Sequence, residues 1–219
     1  MASLFFIGSM EKFQNEQHFR ELCDWVVDRD SRFQPVIEAF GYPPLWYRPP
    51  DFSTLVLTIL EQQVSLAAAR SMFNRLVQRV ESLTPQNLLQ LDEDGLRECG
   101  LSRQKSRYVR NVADEIVSGN LDMETLNTWN ESQIRERLIQ IKGIGHWTVD
   151  MYVLMSLLFG DIFPPGDLAT IKATYELELV EPSDGKNEII LFMKQFEPWR
   201  SAATYLLWHY YLEKRSLSL

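Results

Sequence analysis

The chain has 219 residues, 45% of them hydrophobic, and a formal net charge of −8. This composition is typical of one large or two small folded domains with sizeable cores, and it excludes a largely disordered chain. The negative charge disfavours a protein that coats nucleic acid without discrimination, because phosphate neutralisation supplies most of such binding, but it does not exclude a local basic face.

Two cysteines, Cys23 and Cys99, are too few for a disulfide framework or for a four-cysteine metal or iron–sulfur site. The opening residues, "MASLFFIG", form a short apolar segment without a basic leader, which is not typical of a signal peptide. No stretch has the pattern of a membrane-spanning helix. We therefore expect a soluble intracellular protein with no membrane partner.

Apolar residues recur at helical spacing along most of the chain, and no run alternates convincingly over the length of a strand. We expect an all-α fold of about ten helices with short connections. In chain order, the helical patterns cover 16–30, 54–80, 84–91, 92–100, 101–119, 130–141, 146–160, 168–179, 186–196 and 198–215.

Two connections stand out in this order. The proline-rich segment 41–53 predicts a boundary, and Ser53 is expected to cap the helix that follows. The pattern at 54–80 is too long for a straight helix, so a break is expected at 62–65.

In segment 102–110 the basic residues are densest, which indicates either a nucleic-acid contact or, more simply, a solvated helix face.

The segment "LIQIKGIGHWTVDMYVL", residues 138–154, places two glycines one residue apart between two apolar helical patterns. Glycine adopts positive φ and has no side chain to block an approaching group. A helix that begins just after Gly145 points free N–H groups outward, where an anion is favoured. Together these features predict a phosphate cradle that needs no net positive charge. The alternative is a tight turn without a ligand.

A second segment, "DIFPPGDLATIKA", contains two carboxylates. By position alone, Asp167 is the N-cap of the helix that follows. Asp161, which comes just after Gly160, is explained as a turn residue.

The hairpin and the later "FPPGD" together resemble the helix-hairpin-helix DNA glycosylase superfamily with its Gly/Pro–Asp signature. Within that superfamily, the chain resembles the 3-methyladenine DNA glycosylase II group. Further matches occur in the family's order and span most of residues 52–211: "ILEQQVSLAAARS", "GLSRQKSRYVRNVA", "GIGHWTVDMYVL" and "PWRSAATYLLWHYY". The chain has no room for the β-rich N-terminal domain of longer members, so the compact form is expected.

The resemblance implies two helical lobes with a cleft between them. One lobe would be the helix-hairpin-helix domain, residues 52–165. The other would be a split helical domain formed by residues 1–51 and 166–219.

The resemblance also implies that Asp167 is the catalytic carboxylate, which must be ionised to stabilise the positive charge that develops on a sugar losing its base. Bifunctional members of the superfamily carry a Schiff-base lysine two residues past the second glycine. In this chain that position is Trp147, so a monofunctional enzyme without lyase activity is expected.

The resemblance assigns the remaining roles. Trp147 and Trp208 would surround the flipped base, with Met151 at a family pocket position and Tyr152 adjacent. Gln63, or alternatively Gln62, would fill the gap left in the duplex. The DNA-contacting hairpin residues would be Gly143, Ile144, Gly145, His146 and Thr148. His146 takes the place of a residue that is often basic.

No cofactor is expected for catalysis. The family's hairpin binds a monovalent cation, Na⁺ or K⁺, through backbone carbonyls, and these would be the carbonyls of Ile139, Ile141 and Ile144.

The predicted function is excision of alkylated purines, of the 3-methyladenine and 7-methylguanine type, from duplex DNA by base flipping and hydrolysis of the N-glycosidic bond. We expect a monomer, located in the cytoplasm or with the DNA of a nucleoid or nucleus. Two alternatives remain: a helix-hairpin-helix module that binds DNA without catalysis, and a glycosylase for an oxidised or mismatched base.

Overall fold

The computed structural model describes residues 12–218, so the interpretation of the opening segment "MASLFFIG" lies outside the described residues. Within residues 12–218 the chain is all-helical, and its one isolated β-bridge joins Lys12 to Phe159. The α-helices of this range are α1 (Glu16–Arg29), α2 (Gln34–Phe40), α3 (Phe52–Glu61), α4 (Leu66–Val80), α5 (Pro85–Gln90), α6 (Glu93–Glu98), α7 (Arg103–Val117), α8 (Met123–Leu126), α9 (Glu131–Ile139), α10 (His146–Met155), α11 (Leu168–Glu176), α12 (Lys186–Met193) and α13 (Arg200–Glu213).

The helices form two lobes. In one lobe α3 packs against α4, α7 and α10, while α5 packs against α7 and α9 against α10. In the other, α13 packs against α1, α2 and α11. The division of the chain at residues 51 and 165 stays a prediction. None of the helices in the described range is long and apolar enough to cross a bilayer.

Local signals explain most helix starts. Thr84 caps α5 by accepting from Asn87 N (3.1 Å), and Pro85 follows at the first helical position. The break predicted at 62–65 is present between α3 and α4. The prediction for Ser53 is wrong: Asp51 caps α3 through Thr54 N (3.0 Å), and Ser53 lies inside the helix, where its hydroxyl donates to the same carboxylate.

Two buried helices carry the residues of the candidate site. Every residue of α10 from Thr148 to Met155 is buried, as is each residue of α13 from Ser201 to His209. A helix that is enclosed on all sides is fixed by close packing, so it holds the side chains at its ends in defined positions. Trp147 lies in the first turn of α10 and Trp208 in the second half of α13.

Candidate active site

Asp167 lies at the end of a proline-containing loop and is the N-cap of α11. Its Oδ1 accepts from the backbone N–H of Thr170 (2.9 Å) and from the Thr170 hydroxyl (2.7 Å). The backbone N–H of Asp167 donates to Pro164 O (3.1 Å), which closes the preceding turn. The residue as a whole is half-buried. The cap role predicted from position alone is thus present.

Two indole groups also donate to this carboxylate. Trp147 Nε1 lies 3.1 Å from Asp167 Oδ2, and Trp208 Nε1 lies 2.9 Å from Oδ1. The two tryptophans are on α10 and α13, which belong to different lobes. The structure therefore brings together three residues separated by 20 and 41 positions in the chain, as the site prediction requires.

The two carboxylate oxygens have unequal surroundings. Among the described residues, Oδ1 accepts three hydrogen bonds and Oδ2 accepts one. A carboxylate has about four lone-pair positions, so Oδ2 retains acceptor capacity while Oδ1 is fully used. The N-terminus of α11 adds partial positive charge beside the group. The carboxylate is therefore held rigidly with one oxygen free to face a developing cation.

The two tryptophans differ in exposure. Trp208 is only 4% exposed and is packed against Trp46 and Tyr205, with ring centroids 6.5 and 5.6 Å away. Trp147 is half-buried. In this structure Trp208 reaches the site with its N–H edge, which differs from the prediction that it surrounds the base. Of these two tryptophans, Trp147 is the more exposed.

Met151 and Tyr152 are both buried in α10. Tyr152 has no exposed surface, and its hydroxyl donates to Asn127 Oδ1 (2.6 Å), away from the carboxylate. Assigning Tyr152 to the base pocket is therefore not supported, because its one polar group is used inside the fold. Met151 is 5% exposed, and its pocket role stays a prediction.

Asp161, the competing carboxylate, is paired with Arg200. Arg200 Nε and Nη2 donate to its two oxygens over 2.7 and 2.9 Å, a bidentate arrangement. This pair joins the loop after α10 to the start of α13. A carboxylate neutralised in this way has a structural role, but its partner is Arg200 on a distant helix, which the turn interpretation from sequence did not include.

The structure explains the need for glycine at one of the two hairpin positions but not at the other. Gly143 has φ +111°, and a Cβ at this position would overlap the Tyr108 side chain. Gly145 has an ordinary φ of −103°, and a Cβ there would meet nothing within 4 Å. Packing therefore explains Gly143 but not Gly145. The open space in front of Gly145 is where a backbone phosphate would lie in the predicted cradle.

The first turn of α10 has no side-chain cap, because its N-cap is Gly145. His146 is exposed at the first helical position. Thr148 is 1% exposed, and its hydroxyl accepts from Gln62. The Thr148 side chain is thus unavailable to DNA, and Ile144, which is 4% exposed, is similarly limited to its backbone.

The two glutamines that were predicted to fill the gap in the duplex, Gln63 and Gln62, differ in their surroundings within the loop at 62–65. Gln63 is exposed and has φ +57°. The Gln62 amide, in contrast, donates to Gly143 O and to Thr148 Oγ1, both over 2.9 Å. The surroundings of the two side chains therefore favour Gln63 for filling the gap in the duplex, and the choice between them stays a prediction.

The basic residues of segment 102–110 divide into two groups. Lys105 donates to Leu60 O and Gln62 O, and Arg110 donates to Leu91 O, so both serve the protein's own backbone. Arg103 and Arg107 are exposed.

Sequence reasoning missed two residues. Thr170 is fully buried and holds Asp167 Oδ1; its place at the third position of a capped helix was the signal available. Lys105 was considered only as part of a basic segment that either contacts nucleic acid or forms a solvated helix face, and its contact with the end of α3 has no local sequence signal.

Comparison with known proteins gives a family match and several similar proteins. Residues 56–199 match the family model described as the HhH-GPD superfamily base excision DNA repair protein. DNA-3-methyladenine glycosylase 1 of Schizosaccharomyces pombe is 29% identical over 190 residues, covering 82% of each chain. The crystal structure of DNA-3-methyladenine glycosidase from Bacillus halodurans superposes with a TM-score of 0.70 at 29% identity, covering 94% of each chain. The S. pombe 3-methyladenine DNA glycosylase in complex with abasic DNA gives a TM-score of 0.76 at 27% identity, covering 86% of this chain and 95% of that one.

Proposed function

The chain belongs to the HhH-GPD superfamily of base excision DNA repair proteins, and we propose that it is a monofunctional DNA glycosylase that removes alkylated purines from duplex DNA. The observation that carries this proposal is the Asp167 carboxylate, held by both lobes, whose Oδ2 accepts one hydrogen bond among the described residues and retains acceptor capacity. A module that only binds DNA has no use for such a group. The similarity to glycosylases named for 3-methyladenine supports the choice of substrate.

Hydrolysis of an N-glycosidic bond places positive charge on the sugar. The transition state resembles an oxocarbenium ion, and a fixed carboxylate stabilises it without having to reorganise. Asp167 Oδ2 would face the sugar and orient the attacking water, while the three donors on Oδ1 keep the group in place. The bond between the sugar carbon and the base breaks, and its electron pair goes to the cationic base, which leaves as a neutral molecule. Water adds to the sugar carbon and gives up one proton, to Asp167 or to solvent, which leaves an abasic site.

The flipped base would lie against the ring face of Trp147. A purine alkylated on a ring nitrogen is cationic, and an indole face attracts such a cation by about 0.5–2 kcal/mol. This preference is modest. An alkylated, cationic purine is also a good leaving group, so much of the selectivity would come from the substrate itself.

Gln63 would fill the space that the flipped nucleotide leaves in the duplex. Its side chain is exposed at the tip of the loop between α3 and α4. A glutamine at this position could also hydrogen-bond the unpaired base opposite.

The hairpin would hold the DNA backbone through the first N–H groups of α10 at Gly145 and His146. A monovalent cation, Na⁺ or K⁺, would be bound by the carbonyls of Ile139, Ile141 and Ile144. Two neighbouring carbonyls are already engaged within the protein, since Lys142 O accepts from Asn111 and Gly143 O accepts from Gln62. Ile141 O accepts one hydrogen bond, from Ile144 N, and keeps a second lone pair for a cation. The cation would supply positive charge toward a phosphate.

Trp147 occupies the position of the superfamily's Schiff-base lysine, and its indole nitrogen is engaged with Asp167. An indole N–H is not a nucleophile, so cleavage of the strand through an imine is not expected. The product would be an intact strand with an abasic site. The protein would act as a monomer wherever the cell keeps its DNA.

The test is release of base from methylated duplex DNA, followed by chromatography of the free bases. We expect free 3-methyladenine and 7-methylguanine, with strand breaks appearing only after alkali. Tight binding to DNA without release of any base would favour the non-catalytic module. Release from oxidised or mismatched duplexes but not from methylated ones would favour the other glycosylase class.

A further inference from the structure

The loop that carries Gln63 is fastened to the DNA-binding hairpin by a neighbouring side chain. The amide of Gln62 donates both its hydrogens across the gap, one to Gly143 O and one to Thr148 Oγ1, each over 2.9 Å. Gly143 belongs to the hairpin turn, and Thr148 to the first turn of α10. One side chain therefore spans from the loop after α3 to both halves of the hairpin.

The backbone of this loop is fixed from a second side. Lys105 on α7 donates to Leu60 O and, over 2.9 Å, to Gln62 O. These carbonyls are at the end of α3, where no helical partner is available to them. Burial lowers the pKa of Lys105, which is the expected cost of placing an ammonium group among backbone carbonyls.

These contacts of Gln62 restrict the position of the next residue, Gln63. With the carbonyl and the amide of Gln62 both held, Gln63 follows at φ +57° and its side chain points into solvent. The position of Gln63 is therefore set relative to the hairpin, and not only by its own loop.

We propose that Gln62 is a positioning residue that couples the hairpin's hold on the DNA backbone to insertion of Gln63 into the duplex. This inference rests on the proposed function. Its physical basis is that a glutamine amide offers two donors, both of which find acceptors here. Gln62→Met keeps length and shape but removes both donors, leaving the Gly143 carbonyl and the buried Thr148 hydroxyl without that partner.

The test uses fluorescence of 2-aminopurine placed opposite an abasic-site analogue in duplex DNA. This readout reports the surroundings of the unpaired base and needs no release of base. The variants are Gln62→Met, Gln63→Ala and the double variant. Gln17→Met is the matched control, because Gln17 is an exposed glutamine on α1 whose amide donates, within residues 12–218, to the neighbouring Glu21.

We expect Gln62→Met and Gln63→Ala each to reduce the fluorescence change on binding by about fivefold, with no further loss in the double variant, because the two act as one unit. Affinity for undamaged duplex should stay within about twofold, since the phosphate contacts remain. Gln17→Met should behave as wild type. A full fluorescence change in Gln62→Met, or losses that multiply in the double variant, would overturn the inference.

Thr148→Val and Thr148→Ser provide a second route if Gln62→Met does not fold. Valine removes the hydroxyl that accepts from Gln62, whereas serine keeps it. We expect a reduced fluorescence change in Thr148→Val and a change like that of wild type in Thr148→Ser. Equal fluorescence changes in the two variants would contradict the coupling. If wild type released no alkylated base but these fluorescence results held, the proposed substrate would be wrong and the role of Gln62 would stand.

Discussion

The indole N–H of Trp147 donates to Asp167 Oδ2 over 3.1 Å, and this bond joins the first turn of the helix after the hairpin to the N-cap of α11. The element that would hold the DNA backbone is thereby linked to the carboxylate that would act on the sugar. By the chain's resemblance to the superfamily, Trp147 also stands where bifunctional members carry their lysine. In the proposed function, Trp147 would therefore orient the Asp167 carboxylate, contact the flipped base and exclude strand cleavage through an imine.

Trp147→Phe separates the donor from the ring. Phenylalanine keeps an aromatic face but cannot hydrogen-bond Oδ2, so the carboxylate should lose orientation. We expect single-turnover base release to fall about tenfold, as misplacement of a reacting group by a fraction of an ångström allows. Non-specific DNA affinity should change little. Trp25→Phe, on a half-buried tryptophan beneath Arg29, is the control. Equal losses in binding and catalysis would indicate that Trp147 only packs.

Thr170→Val removes the hydroxyl that donates to Asp167 Oδ1 and keeps the shape of a fully buried side chain. The matched control is Thr174→Val, since Thr174 is equally buried on the same helix but donates to Thr170 O. Each variant should lose about 1 kcal/mol of unfolding free energy, the typical net value of one hydrogen bond. Only Thr170→Val should slow base release at saturating enzyme. Equal rates for the two variants would remove Thr170 from the site.

Gly145→Ala and Gly143→Ala test the two reasons for glycine in the hairpin. Gly145→Ala should leave thermal unfolding nearly unchanged, because φ is ordinary and the added methyl meets open space. It should nevertheless weaken DNA binding about tenfold by blocking approach of a phosphate. Gly143→Ala should destabilise the fold by about 2 kcal/mol, since it strains φ and overlaps Tyr108. Unchanged DNA affinity in Gly145→Ala would leave the hairpin as a plain turn.

The two cysteines should be inert in the native protein. Burial raises the pKa of the Cys23 thiol, with nearby Asp24 adding to the effect, and burial also raises the pKa of Cys99. A raised pKa keeps the thiol protonated at about pH 8.5, where an ordinary cysteine is half ionised. Ellman's reagent at that pH should titrate almost no thiol before unfolding and both after it. Rapid reaction of either cysteine in folded protein would contradict this.

Much of the architecture follows from local sequence. The cap at Thr84, the break at 62–65 and the helical spacing of apolar residues are short-range signals, and the structure has each of them. The cap at Asp51 was missed because Ser53, two residues later, is an equally good cap by type. Propensity alone does not choose between adjacent capping residues.

The site was predictable only in part. That Asp167 is a cap is local information, but the hydrogen bonds from Trp147 and Trp208 depend on how α10 and α13 pack. For the same reason, sequence reasoning placed Tyr152 in the pocket, whereas tertiary packing buries it against Asn127. Side-chain direction on a helix that is buried all round has no periodic signal, because every face is apolar.

Asp167→Asn tests the central claim most directly. Asparagine is as good an N-cap as aspartate and keeps an oxygen for Thr170, so the fold and DNA binding should persist. The charge that compensates the sugar cation is lost, and release of 3-methyladenine from methylated duplex should fall by at least about a hundredfold. Release at the wild-type rate by a folded, DNA-binding Asp167→Asn variant would contradict the account.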